Sequence, residues 1–105
     1  MIVLMDDDLR ELYETGRNKK YQEIERNQVL RKSFLRVVGI MMNARSINDI
    51  KAYSYLHYEQ LKYQWSGYSS VRLSNSYIQR LIFTENENGL EIKLIEIDNT
   101  HYGNK

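Results

Sequence analysis

The stretch VRLSNSYIQRLIFTENENGLEIKLIEI, residues 71–97, decides the predicted fold. Its apolar residues fall in runs that are rich in branched side chains, and such runs favour extended structure. Two segments with turn-forming composition, residues 74–76 and 86–89, separate the runs. The change to this pattern begins at Glu59, so the second half of the chain is predicted to form an antiparallel meander of three or four strands.

The first half of the chain has the pattern of one strand followed by helices. Residues 2–5 form a short apolar run, and the three aspartates after it can cap a helix of about two turns that ends at Gly16. Apolar side chains then recur at three- and four-residue spacings, which predicts a main helix over roughly residues 27–42. A capping signal at Ser46 predicts one further helical turn over residues 47–52.

The predicted order of elements is β-α-α-β-β-β, which is an α+β fold. A chain of 105 residues suits a single domain with one hydrophobic core, and we assign residues 1–105 to it. Two N-terminal helices would pack on one face of a small antiparallel sheet. The opposite face would stay uncovered, and a ligand would meet the molecule there.

The chain contains no cysteine and only two histidines. Disulfide bonds and thiolate metal sites are therefore excluded, and two imidazoles are too few for a typical zinc site. We expect no metal ion and no cofactor. The apolar run at the N-terminus covers five residues, which is too short for a secretory or membrane-spanning segment. A cytoplasmic protein without a membrane partner is the expectation.

Charge is distributed unevenly along the chain, although the formal net charge is only +1. Residues 31–80 carry eight basic and two acidic side chains, whereas acidic residues are in excess on both sides of that segment. Residues 57–80 add several tyrosines and one tryptophan to these cations. Cations neutralise phosphate charge and aromatic rings stack on bases, so this composition suits the binding of single-stranded nucleic acid.

Four segments in the second half of the chain resemble the successive sequence blocks of the RelE/ParE toxin superfamily. In order, they are LHYEQLK (residues 56–62), SGYSSVRL (residues 66–73), RLIF (residues 80–83) and His101-Tyr102. The HigB- and YoeB-like toxins are the most similar branch. The resemblance rests on the order and spacing of the blocks, while the helical first half agrees in pattern only.

The resemblance implies a function and partners. Members of the superfamily that act on RNA are ribosome-dependent endoribonucleases, or mRNA interferases, and a cognate antitoxin neutralises them. The resemblance thus implies that this chain is such a toxin, with a RelE-like fold, that cuts messenger RNA on the ribosome. We expect the antitoxin, a protein with a DNA-binding domain, to lay a helix or strand across the basic face of the sheet.

The resemblance also implies residue roles. Glu59 would be the general base, Arg72 the phosphate clamp and His101 the general acid, with Tyr102 beside it. Metal-free RNA cleavage needs these roles, because a 2′-hydroxyl must lose a proton, charge on phosphorus must be stabilised and the 5′-oxygen must gain a proton. Further candidates for RNA binding are Lys62, Arg80, Tyr68, His57, Lys19 and Lys20.

Each of these residue types also has an ordinary structural explanation. A carboxylate among cations, such as Glu59, is often a solvated ion-pair partner. Arginines on strands, such as Arg72 and Arg80, often cover apolar surface with their methylene groups. His101 lies four residues from the last residue, in a region where chains are often poorly ordered.

The aromatic residues divide into two expected groups. Aromatic side chains on strands are ordinarily half-buried packing groups, and we assign Tyr53, Tyr55 and Tyr58 to that role. Near the cationic segment and the C-terminus we expect base stacking instead, with Tyr68, Tyr102 and Trp65 as candidates.

Two other functions stay open, and one position departs from the superfamily pattern. The chain could be a ParE-like toxin that inhibits a DNA topoisomerase by protein binding, or a catalytically inactive member that only binds its antitoxin. Gln79 stands where the pattern usually has an aromatic residue or histidine before Arg80, and the preceding turn is longer. The sequence therefore leaves the register of Arg80 open.

Overall fold

The computed structural model describes residues 1–99, which form a five-stranded sheet with helices packed on one face. Its strands are β1 (Ile2–Met5), β2 (Glu59–Gln60), β3 (Ser69–Arg72), β4 (Arg80–Glu85) and β5 (Glu91–Asp98). Their order across the sheet is β1-β5-β4-β3-β2. The predicted α+β class is confirmed, and the meander in the second half, which was predicted to have three or four strands, has four.

The sheet is mixed rather than purely antiparallel. The meander from β2 to β5 is antiparallel, as predicted, but β1 runs parallel to β5, with Ile2 opposite Glu91 and Met5 opposite Leu94. The prediction of an antiparallel sheet is therefore wrong for the first strand. The helices carry the chain from β1 at one edge to β2 at the other, and three reversals then return β5 beside β1 in the same direction.

Four α-helices occur within the described residues: α1 (Asp7–Thr15), α2 (Gln22–Arg26), α3 (Gln28–Asn43) and α4 (Ile47–Lys51). The Asp6 carboxylate caps α1 by accepting from the Leu9 amide at 3.0 Å, and Gly16 ends that helix at a φ of 77°. Predicted and observed bounds of α1, α3 and α4 agree within one or two residues. The short helix α2 was not predicted.

The hydrophobic core lies between the helices and one face of the sheet. Buried side chains recur along α3 at three- and four-residue spacing, as the sequence predicted. The main contributors are Leu9, Leu12, Phe34, Val37, Val38, Met41, Val71, Leu81, Phe83, Leu94 and Ile97. None of the helices formed by residues 1–99 is both long and apolar enough to span a bilayer.

The other surface of the sheet carries a separate, smaller apolar cluster and several charged residues. We call it the open face, and its residues include Glu59, Leu61, Tyr68, Ser70, Arg72, Arg80, Ile82, Ile95 and Asp98. A β-bulge shapes it: Ile82 lies opposite Glu96, but Phe83 lies opposite Leu94, so β5 contains one extra residue at this point.

Candidate anion-binding site on the open face

Two arginines face each other across neighbouring strands of the open face. Arg72 on β3 lies directly opposite Arg80 on β4, and Arg80 lies opposite Asp98 on β5. Side chains opposite each other in a sheet project from the same face. Like charges in this position destabilise a sheet, so the arginine pair needs compensating negative charge.

Glu59 supplies part of that charge from the edge of the sheet. One of its carboxylate oxygens, Oε1, lies 3.6 Å from Nη1 of Arg80. Because β3 separates β2 from β4, this ion pair passes over β3, where the residue opposite Glu59 is the small and fully buried Ser70. The structure thus brings together the proposed base and one of the cations that the sequence assigned to RNA binding.

Arg72 is half-buried, and its guanidinium is incompletely satisfied. Its Nε atom is shielded from solvent and has no hydrogen-bond partner within residues 1–99. A shielded donor without a partner costs about 1–3 kcal/mol, and more when the group is charged. A ligand with several anionic oxygens, such as a phosphodiester, would satisfy this donor and lie between the two guanidiniums.

The C-terminal strand ends beside the arginines. Asp98, the last residue of β5, is only 8% exposed and lies in register with Arg80. Sequence reasoning did not identify Asp98, because its role depends on strand register rather than on a local pattern. His101 and Tyr102, the predicted acid and its neighbour, lie outside the described residues.

Arg80 has a defined place in the sheet, although Gln79 before it departs from the superfamily pattern. Gln79 is buried, and its carbonyl accepts from the Leu73 amide at 3.2 Å, which closes the turn between β3 and β4. Arg80 follows as the first residue of β4, directly opposite Arg72. The structure therefore defines the position of Arg80 in the sheet.

An aromatic pair also lies on the open face. The rings of Trp65 and Tyr68 meet edge to face with centroids 5.4 Å apart. Both are half-buried against Leu61 and Ile82. Tyr68, predicted to stack on RNA, therefore lies on the same face as the arginines, where its ring also packs against protein.

The remaining RNA-binding candidates lie outside the cluster. Lys62 is exposed just before the 3₁₀ helix Tyr63–Trp65, and His57 is exposed at a positive φ of 52° at the end of the 3₁₀ helix Ser54–Leu56. Lys19 and Lys20 belong to the helical layer, where the Lys20 ammonium lies 5.5 Å from the centre of the Tyr21 ring. Their roles in RNA binding stay predictions.

A hydrogen-bonded network on the helix-covered side of the sheet was also missed. The Tyr58 hydroxyl donates to Oε2 of Glu85, and the Ser69 hydroxyl donates to the same oxygen at 2.8 Å. Burial raises the pKa of Tyr58, and the hydrogen bond to Glu85 raises it further. Tyr58 is thus a structural residue, as expected, although its polar partners come from distant strands that sequence reasoning could not connect.

The two arginines and Glu59 together could bind an anion and transfer a proton. Two guanidiniums can hold an anion, and the neighbouring carboxylate can accept a proton from a group brought beside that anion. Within residues 1–99, no three histidine, aspartate or glutamate side chains are grouped in a way that could hold a metal ion. The arginine pair and Glu59 suit anion binding and proton transfer.

Comparison with known proteins identifies the fold. No protein-family model and no curated protein matches the chain. A solved YoeB/ParE toxin from Agrobacterium tumefaciens is 14% identical, with a TM-score of 0.55 over 96% of this chain and 100% of that chain. A YoeB-YefM complex from Staphylococcus aureus is 22% identical, with a TM-score of 0.54 over 97% of this chain and 98% of that chain. A YoeB dimer from the same organism is 19% identical, with a TM-score of 0.52 and the same coverage.

These three structures align with almost the whole of this chain. The chain therefore has the fold of the YoeB and ParE toxins, and the predicted resemblance is confirmed at the level of the fold.

Proposed function

We propose that this protein is the toxin of a type II toxin-antitoxin system and a metal-independent endoribonuclease that cuts messenger RNA on the ribosome. The observation that carries the proposal is the Arg72–Arg80 pair, with Glu59 beside it, on the open face. The likeness to YoeB and ParE toxins, which includes structures of YoeB with YefM, supports a toxin with an antitoxin partner. The antitoxin would carry a DNA-binding domain and cover the open face.

The scissile phosphodiester would bind between the two guanidiniums. Its oxygens would reach the unpartnered Nε of Arg72 and displace Glu59 from Arg80. The released carboxylate would then take the proton of the 2′-hydroxyl, and the 2′-oxygen would attack phosphorus. As the bond from phosphorus to the 5′-oxygen breaks, the products are a 2′,3′-cyclic phosphate and a 5′-hydroxyl. Both arginines would stabilise the extra charge on pentacoordinate phosphorus.

His101 would donate the proton that the departing 5′-oxygen needs, with Tyr102 beside it. This role is supported by the short distance along the chain, since His101 follows Asp98 by three positions and three such steps span at most about 11 Å. Asp98 lies opposite Arg80, so this reach includes the arginine pair. Lys62 and Tyr68 would hold the flanking RNA, and His57, Lys19 and Lys20 would contact RNA or the ribosome further away.

The test is primer extension on messenger RNA after induced expression of the wild type, Arg72→Ala and His101→Ala. Cuts within translated codons are expected for the wild type, with a reduction of at least about 10²-fold in both variants, because each variant lacks a group that acts in the transition state. Arg26→Ala is the matched control, since Arg26 is an exposed arginine at the end of α2. It should cut like the wild type.

Circular dichroism of the purified variants would verify that they fold. Growth arrest that persists in both variants, with intact RNA and altered DNA supercoiling, would refute the nuclease and favour topoisomerase inhibition.

A further inference from the structure

The strand that carries Glu59 has little backbone support of its own. Strand β2 contains two residues, lies at the edge of the sheet and pairs only with β3 within the described part of the chain. One further bond, from the Leu61 amide to the Tyr68 carbonyl at 2.9 Å, continues this pairing. So short an edge strand is weakly held by its ladder alone, yet a general base must be placed accurately to act.

The residue before Glu59 supplies additional support. The Tyr58 hydroxyl donates to Glu85 on β4 and lies 3.3 Å from the Ser69 hydroxyl on β3. Ser69 donates to the same Glu85 oxygen. The side chain of Tyr58 therefore ties the start of β2 both to its neighbour β3 and to the next strand, β4.

The Tyr58 ring also makes several contacts that fix its position. Its centroid lies 6.2 Å from that of Phe83, which is fully buried, and the Lys51 ammonium lies 5.1 Å from the ring centre. The ring also packs against the main core. Burial and the hydrogen bond to Glu85 both raise the pKa of Tyr58, which is the direction that favours the protonated, donating hydroxyl.

Residues 58 and 59 are neighbours in an extended segment, so their side chains project from opposite faces of the sheet. Both reach across β3 to β4: Tyr58 to Glu85 on the helix-covered side, and Glu59 to Arg80 on the open face. We infer that Tyr58, through its hydroxyl bridge to Glu85 and Ser69, is a positioning residue for Glu59. The catalytic part of this inference rests on the proposed function.

The experiment compares Tyr58→Phe with the wild type by two measurements. Tyr58→Phe keeps the ring and removes the hydroxyl, so hydrogen exchange of the Leu61 amide should become about fivefold faster, as expected for the loss of one hydrogen bond. On ribosome-bound messenger RNA, kcat should fall about 10- to 100-fold because the base is misplaced. KM should stay within about twofold, because the arginines that bind phosphate are untouched.

Tyr53→Phe is the matched control, since Tyr53 is exposed and its ring meets Tyr55 edge to face at 5.8 Å. It should leave both measurements unchanged. Ser69→Ala, which removes only one of the two hydroxyls, should speed the exchange of the Leu61 amide by a smaller factor and serves if Tyr58→Phe does not fold.

Wild-type exchange in the hydroxyl-deleted variants, or a higher KM with unchanged kcat, would overturn the positioning role. If the wild type cuts no RNA, the proposed function fails, and the exchange comparison alone then decides whether Tyr58 orders β2.

Discussion

On one side of β4, Leu81 and Phe83 are fully buried beneath the helices, whereas on the other side Arg80 lies opposite a second arginine and beside two carboxylates. The covered side gains stability from apolar burial. The open face instead places like charges together, which opposes folding unless another charge compensates. The comparison teaches that one strand can bury apolar side chains under the helices while Arg80, on its other face, belongs to a charged cluster.

The largest expected effect is on the free energy of unfolding, and it concerns the side of the sheet that the helices cover. Phe34 on α3 is fully buried and meets Tyr13 edge to face at a centroid distance of 6.2 Å. Phe34→Ala should lower the free energy of unfolding by about 3–5 kcal/mol because it leaves a cavity. Urea denaturation measures this, with Leu35→Ala as the control.

Leu35 lies beside Phe34 on the same helix but is exposed, so Leu35→Ala should change stability by about 0.5 kcal/mol or less. Equal effects of the two substitutions would mean that stability does not depend on the helix-covered core.

An intermediate effect is expected for a substitution on the open face, and it concerns RNA affinity rather than stability. If about four to six phosphates are neutralised, the logarithm of affinity for single-stranded RNA should fall with the logarithm of salt concentration at about −0.7 per phosphate. Arg80→Ala should make this slope less negative by about 0.7, because one phosphate contact is lost. Fluorescence anisotropy at several salt concentrations measures the slope, with Arg26→Ala as the control. A flat response of the wild type would contradict RNA as the ligand.

The smallest effect is the change in RNA affinity expected at Glu59, which would compete with phosphate for Arg80. Glu59→Gln removes a partly exposed ion pair, and such pairs contribute little, so RNA affinity should rise by only about 1.5- to 5-fold. RNA cutting should nevertheless be lost, because glutamine cannot accept the proton. Titration with labelled RNA measures the affinity, and Glu14→Gln on the exposed side of α1 is the control. Weaker binding by Glu59→Gln would show that Glu59 does not oppose the phosphate.

Local patterns in the sequence were sufficient to predict the main elements. The spacing of apolar residues predicted α3, aspartates and Gly16 predicted α1, and turn composition predicted the meander. Helix α2 was missed because it has five residues and buries only Ile24 among them, which leaves almost no periodic signal. The direction of β1 was missed because it depends on where the helical layer returns the chain.

The candidate site was predictable only in part, because local patterns show which residues are present but not which strands lie side by side. Glu59 and Arg72 were singled out by their blocks, but the register that places Arg72, Arg80 and Asp98 in one row is a long-range property. The bridge from Tyr58 to Glu85 joins residues 27 positions apart and leaves no local trace. The roles of His101 and Tyr102 stay predictions.

The extra residue in β5 has a consequence for insertions and deletions. Leu94 and Ile97 both point to the core although three positions separate them, which strict alternation forbids and the bulge permits. Deleting Ile95 or Glu96 would remove this extra residue and restore strict alternation, so Ile97 would remain in the core and Asp98 would remain opposite Arg80. Deleting a residue at a regularly paired position of β4 or β5 would instead exchange the two faces of the rest of the strand. Chain length should therefore vary between relatives at the bulge and at the turn over residues 86–89, and stay constant elsewhere in this hairpin.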